Sequence, residues 1–533
     1  MKFAFQKVLS GAAIVSAAFC HILLLNTFTI SAAQAAAYTP LAEQCDGFPK
    51  LPIVTAENLC VGLITQKNAA NPFLMPRTGV ETKDGKLLIA DMGGWAPNKG
   101  KLWLVDYRAK TPTATALLSG LHAPHKILVG PDGKFFLGET HRIVRFEIVN
   151  SAVANMEAVV DDLPSGERYL HPLKNFVFDQ KNNLIVNIGS SSDRCSKDVS
   201  MENCTNGTEA GLRLYNYNAK TNSWDKNFTV IASGLRNSMA LAVDKSGTII
   251  QAENSIDFNS AEEPYEELNV IEGNGFYGWP LCYGRNASMD ETQKSCTAKN
   301  YHEPWTLLPP HAAPLDALYY HNKKLAALDN KLLLTWHGYR SIGHRLVAFD
   351  IDSNGKPIRK NEATYWRDPA TRGEEFTQVP FNAKGGTGLV AQHTEIISRW
   401  NEVSDVRPKG SPTGISVLND GSLLIIDDKN AAILRLSTGT AFKDSGKKEE
   451  KYAKVELPKN VNDILASRCS KCHEEIHQHP EELLNDSHWL RIAEGKTRLE
   501  QKVFLDKAAP MPPDNSLLPE EKKVLREWID SKK

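Results

Sequence analysis

The segment Cys469-Ser470-Lys471-Cys472-His473 has the spacing C-x-x-C-H. Two thiols so placed can add to the vinyl groups of a haem, and the histidine that follows is set to ligate the iron from one face. With 9 Cys and 15 His in 533 residues, chance supplies about 0.004 such matches in the chain. A redox dithiol or half of a zinc site would want a thioredoxin-like context or a second cysteine pair nearby, and the sequence offers neither. Covalent haem c is therefore expected on Cys469 and Cys472, with His473 on the iron. The opposite iron face needs its own ligand. Met511 is the methionine that follows His473, held in the rigid run Ala509-Pro510-Met511-Pro512-Pro513, and is the expected thioether. His477, His479 and His488 are the alternatives, although the first two lie so close to His473 that the far face is awkward to reach.

A second set of polar residues recurs along the chain. Arg77, His125 with Lys126, His171, and Arg236 with Asn237 each stand at the start of an apolar, strand-like run. Such a residue by itself is ordinarily structural. Here each belongs to a repeat, which reads as a turn, a short β-type run, a polar turn that is often Asp-Gly, and a further apolar run. Copies begin at Pro76, Ala123, His171, Leu235, Pro314 and Pro412. Six copies of one small sheet predict an all-β six-bladed β-propeller, because a β-sandwich need not repeat one motif six times. The shared slot then converges on the propeller axis, where cations beside an imidazole suit a planar polyanion. The long insertions Asp257–Arg285 and Arg359–Arg407 are expected to line the functional face.

The rest of the chain sets the frame for these two sites. At 533 residues it exceeds a single core, so at least two folded units are expected. Lys+Arg 62 against Asp+Glu 63 leaves a formal charge of -1 and no field to hold nucleic acid. Lys2 and Lys7 precede an apolar run from Val8 to Ala33 that ends in Ala33-Gln34-Ala35, which predicts a cleaved secretory signal over 1–35 and a periplasmic or exported protein. Phe19 before Cys20 argues against a lipoprotein signal. Of the remaining cysteines, Cys45/Cys60, Cys195/Cys204 and Cys282/Cys296 form local pairs suited to loop disulfides in an exported chain. The polar stretch 437–454, with Lys447-Lys448-Glu449-Glu450-Lys451, reads as a linker between a propeller over 36–436 and a small all-α unit over 455–533. In that unit, one helix leads into Cys469 through Val461, Ile464 and Leu465, and another over Pro519–Ile529 carries Val524, Leu525, Trp528 and Ile529 on one face. Residues 453–533 resemble a cytochrome c domain.

Several strings extend the picture. HPLKNFVFDQKNNLIVNIGSSSD from His171, ASGLRNSMALAVD, ELNVIEGNGFYGWPLCYG, APLDALYY and WHGYRS resemble the L-sorbosone and soluble glucose dehydrogenases, six-bladed propellers that use pyrroloquinoline quinone (PQQ). The resemblance implies an oxidoreductase acting on CH-OH or aldehyde groups of a sugar or related alcohol, with PQQ and Ca²⁺ as cofactors. It makes His171 the general base, and Arg236, Asn237, Arg77, Arg340 and, more weakly, Lys126 the PQQ contacts. It places calcium at Glu253-Asn254-Ser255-Ile256-Asp257, through backbone atoms of Asn254 and Ser255 in particular. Two departures stand out: the string before Arg340 is shortened to His337-Gly338-Tyr339-Arg340, and Ser411-Pro412 replaces an Arg-Pro. The fused haem implies a relay from substrate through PQQ and haem to an external acceptor, such as a cytochrome or respiratory-chain component. A calcium-dependent propeller lactonase would leave the haem without a task, and a non-catalytic binding propeller would carry the cytochrome as a plain shuttle.

Overall fold

The computed structural model describes residues 37–531 except 167–168, 196–199, 258–262, 291, 294, 339–341, 361–364, 367–376, 379–389, 399, 401–409, 443–456, 470–491, 494–495 and 506–516. The expected signal segment, Arg340, Cys472, His473, Met511 and the three alternative histidines lie outside the described residues.

Six sheets of four antiparallel strands, the third with a short parallel strand, Gly275–Phe276, added at its edge, form a β-propeller. In the order of their inner strands, the blades begin at Pro76–Glu81, Ile127–Val129, Phe176–Phe178, Ala240–Val243, Pro314–Tyr320 and Pro412–Val417. Each inner strand turns into a second strand through a hairpin containing a residue at positive φ: Gly85, Gly133, Asn182, Gly247, Asn330 and Gly421. Only glycine and asparagine hold these positions, because a side chain with a bulkier Cβ environment is strained there. All six repeats expected from the sequence are therefore blades.

The ring closes by exchange between the ends of the propeller. Leu59–Gln66 pairs with Ala432–Thr438 and becomes the outermost strand of the sixth blade. This corrects the expected boundary at 436. Ser437 and Thr438 belong to the sheet, and Ser437 is buried with its hydroxyl on Asp46. The strand pairing needs their backbone groups, so polarity alone misplaced the linker by two residues. The Cys45–Cys60, Cys195–Cys204 and Cys282–Cys296 disulfides are present as expected. Apolar side chains from adjacent blades fill the wedges between sheets, among them Leu63, Leu346, Ile425 and Leu434.

The excursion 351–392 leaves the third strand of the fifth blade, Arg345–Asp350. Because the four strands of a blade alternate in direction, this exit is at the end opposite the starts of the inner strands. The expectation that the insertion lines the functional face is corrected for its described base, Arg359–Lys360 paired with Val390–Ala391, while most of 361–409 lies outside the described residues. Residues 254–265, by contrast, join the second and third strands of the fourth blade on the same end as the inner-strand starts.

Toward the C-terminus, Lys459–Ile464 and Pro519–Asp530 are helices. The second starts with Pro at its first position and Glu520 and Glu521 in its first turn, where the helix dipole favours acids, and Glu521 also accepts the Leu518 N–H at 2.8 Å. Leu525, Trp528 and Ile529 pack with Val461, Ile464 and Leu465 in an apolar cluster against which half-buried Cys469 lies. No helix among the described residues is long and apolar enough to cross a membrane.

Leu434 is wholly buried and lies across from Leu63 in the closing pair. Leu434→Ala should destabilise the propeller by about 2–5 kcal/mol through lost burial and a residual cavity. A fall in the urea midpoint followed by intrinsic fluorescence would register it.

Candidate active site on the propeller axis

Residues at the starts of the inner strands and just past the ends of the second strands meet across the axis, and their bonds join different blades. Arg77 of the first blade pairs with Asp428 of the sixth, and its Nε donates to His125 Nδ1 of the second at 3.2 Å. His337 of the fifth reaches the other Asp428 oxygen through Nε2 at 2.9 Å. Lys126 Nζ of the second blade bonds Asp316 Oδ1 of the opposite fifth blade at 2.6 Å. That contact spans the ring, so the axis is closed at this level. Met92, Leu173, Met239 and Leu315, from four blades, cluster there as well and form an apolar plug.

Electrostatics follow from the burial. Burial raises Asp428, but His337 and then Arg77 outweigh it and hold the carboxyl below its ordinary range. Burial, with Arg77, Lys126 and His337 nearby, pushes His125 well down, so this imidazole is neutral. Its Nδ1 accepts from Arg77, which puts the proton on Nε2. That N–H is buried without an acceptor among the described residues.

The third and fourth blades complete the ring differently. His171 Nδ1 lies 2.9 Å from Ser190 Oγ and 3.0 Å from Ser190 O. Burial first, then the Arg236 guanidinium, push His171 well below its ordinary value, against the Ser190 backbone bond. Gly189 makes the approach of two loops possible: a Cβ there would come within 2.5 Å of His171 Cβ and 3.4 Å of Asn237 Oδ1. Arg236 is buried and bonds Asp193 at 2.8 Å, Asp257 at 3.3 Å and the Asn254 carbonyl at 3.0 Å. Its Nε, like Asn237 Oδ1, is buried with no partner among the described residues. Asn254 and Ser255 follow directly, and the Ser255 N–H bonds Glu266, a fully buried acid that burial pushes up to about 7.

The structure thus brings together His171, Arg236, Asn237, Asn254 and Ser255 on one side of the axis. Arg77 and Lys126 sit on the same ring, each already paired with a carboxylate. Sequence reasoning missed those partners, Asp428 and Asp316, as well as Asp193, Ser190 and Lys174. The doubled acid Asp427-Asp428 at the end of a buried strand was the signal available for one of them.

Lys174 is fully buried and anchors the loop that carries His171. Its Nζ donates to the carbonyls of Pro164 at 2.9 Å and Pro172 at 2.8 Å, and it stands over the Tyr169 ring.

Residues 118–368 match the family model described as Glucose / Sorbosone dehydrogenase. The stretch includes Lys126, His171, Arg236, Asn237, Asn254 and Ser255. No curated protein matches the chain. Among solved structures, the chain is similar to a Trichoderma reesei carbohydrate-active enzyme of family AA12 in an iodide form, with 18% identity, a TM-score of 0.55, and cover of 75% of this chain and 100% of that one. A calcium structure of the same enzyme family from that organism gives 18% identity and 0.53, covering 74% and 99%. The holo PQQ domain of pyranose dehydrogenase from Coprinopsis cinerea gives 17% identity and 0.53, also covering 74% and 99%. These structures share the propeller fold.

Lys174 yields a pH test. Burial, then Arg213, pull its amine from 10.5 down to about 7. Between these values the unfolded chain keeps a proton that the folded chain has released, so folding gains stability as pH rises from about 7 toward 10. Lys174→Met removes that slope. The difference in unfolding free energy, wild type minus variant, should rise across this window by up to about 1.4 kcal/mol per pH unit. Equal pH dependence in the two proteins would show that the amine stays charged.

Proposed function

We propose that this chain is a PQQ- and calcium-dependent dehydrogenase of a sugar or related alcohol or aldehyde, and that it passes electrons to a haem c on its own C-terminal segment. The observation that carries the reading is His171: an imidazole that burial and Arg236 hold against protonation, with Nδ1 engaged by Ser190, beside Asn237 and Arg236, within the stretch that matches the dehydrogenase family.

The residues fit the cofactor. A planar quinone bearing carboxylates requires donors in a dry site, and the Nε2–H of His125 and the Nε–H of Arg236 are buried donors without acceptors among the described residues. Asn237 adds an unused acceptor. Backbone atoms at Asn254 and Ser255, with the Glu266 carboxyl close by, offer the oxygen-rich surroundings that calcium prefers. When bound, PQQ supplies the acceptor for the substrate's hydride. His171 Nε2 takes the hydroxyl proton, Arg236 and Asn237 orient the bound partners, and the Lys126–Asp316 bridge with its apolar plug keeps water from the axis.

The C-x-x-C-H string supports haem attachment at Cys469 and Cys472, with His473 and Met511 as iron ligands, and an external cytochrome or respiratory-chain component as final acceptor. Three disulfides agree with a periplasmic or exported location.

The decisive experiment reconstitutes the full chain with PQQ and calcium and offers aldoses, alcohols and aldehydes in stopped flow. Haem should be reduced at a rate independent of protein concentration, because tethering gives an effective concentration of about millimolar. A rate proportional to protein concentration would refute the tethered relay, and failure to bind PQQ would refute the quinone reading.

His171→Asn should lower turnover by about 10²–10⁴-fold with PQQ affinity retained. Lost quinone binding with normal turnover per bound PQQ would make His171 structural instead. Calcium should raise the melting temperature of the cofactor-free protein, and chelation should reverse the gain.

A further inference from the structure

Ser190 meets the imidazole of His171 with both of its oxygens. The carbonyl can only accept, so the ring nitrogen 3.0 Å away carries a hydrogen. The hydroxyl stands 2.9 Å from the same nitrogen and gives its own proton to Ser192 O at 2.6 Å, which leaves a lone pair turned toward the ring. Ser190 itself is wholly buried and fixed, since its N–H donates to the Arg236 carbonyl at 2.7 Å and its carbonyl also accepts the His171 N–H at 3.2 Å. The two contacts to the ring nitrogen put its hydrogen on Nδ1, which leaves the lone pair of the neutral ring on Nε2.

We propose that Ser190 is the positioning residue that selects this tautomer, and that it does so with neutral dipoles where a carboxylate would hold the ring charged. The inference rests on the reading of His171 as base, and extends it to how the base is kept ready.

The charged and titratable groups around the ring agree. Arg236 is the charge felt by His171. Asp193 is turned to Arg236, Glu209 accepts the Ser191 N–H, the Tyr169 hydroxyl donates to Gly189 O, and Lys174 holds Pro172 O. None of these bonds places an acid on the His171 ring. Aspartate at 190 would, and an opposite charge that close raises a histidine by about 1–3 pH units.

The test is nitrogen NMR of the imidazole in the cofactor-free full chain, with the His171 signals assigned by comparison with His171→Gln. Wild type should show Nδ1–H and an unprotonated Nε2 at neutral pH, with a titration midpoint below that of an exposed histidine. Ser190→Ala, which removes the hydroxyl and keeps the backbone carbonyl, should retain Nδ1–H as the main tautomer and admit a minor share of Nε2–H. Ser190→Asp should raise the midpoint by about 1–3 pH units, and the acid limb of the kcat profile of the reconstituted enzyme should move by the same amount. A wild-type ring protonated on Nε2 overturns the proposal, as does a midpoint unchanged in folded Ser190→Asp. Should neither variant fold, the wild-type tautomer decides. Because the NMR readout needs no turnover, a correct tautomer with no dehydrogenase activity would count against the function and leave Ser190 in its role.

Discussion

A propeller forces six strands to begin around one narrow axis, and each polar side chain set there must find its partner on another blade. Arg77, His337 and Asp428 solve this as a buried triad, and Lys126 with Asp316 as a pair across the ring. Such groups are held at a large desolvation cost that the mutual attraction roughly offsets, so removing one partner strands the other and is far more harmful than either pair is helpful. The consequence is an asymmetric ring. The first, second, fifth and sixth blades neutralise one another, and this larger, rigid part leaves the third and fourth blades to present His171, Arg236 and Asn237 to a ligand.

That division explains what the sequence disclosed. Hairpin turns depend on a few adjacent residues, so Asp84-Gly85, Asp132-Gly133 and Asp420-Gly421 marked three blades directly, and the flanking apolar runs marked the others. His171 and the Arg236-Asn237 pair were legible because each repeats a slot. Their partners were not. Arg77 and Asp428 are 351 residues apart, and no local pattern couples such a pair. The strand Leu59–Gln66 was equally hidden, since it has no hairpin of its own and takes its place in a blade through the far end of the propeller. The C-x-x-C-H string is the opposite case: five consecutive residues carry the whole expectation of haem attachment.

The candidate base also shows how far surroundings set chemistry. His125 is a buried imidazole and His171 a half-buried one, each beside an arginine, and both are held toward the neutral form. His125 accepts at Nδ1 and keeps a proton on Nε2, whereas His171 is held at Nδ1 by oxygens and keeps Nε2 bare. The first can only donate to a ligand and the second can only accept, although the side chains are the same. Residue type alone would have treated them as equivalent.

Closure of the sixth blade has a temporal meaning as well. The strand at Leu59–Gln66 emerges early in synthesis, but its partner Ala432–Thr438 follows more than three hundred residues later. Until then the ring is open, with a sheet edge exposed on each side of the gap and no means of sealing it. Contacts of such long sequence separation form slowly, because a large loop must be closed before they repay its entropy. A nascent chain of this kind stays threadable for most of its production. The last propeller strand to be made is thus also the latch that locks the ring.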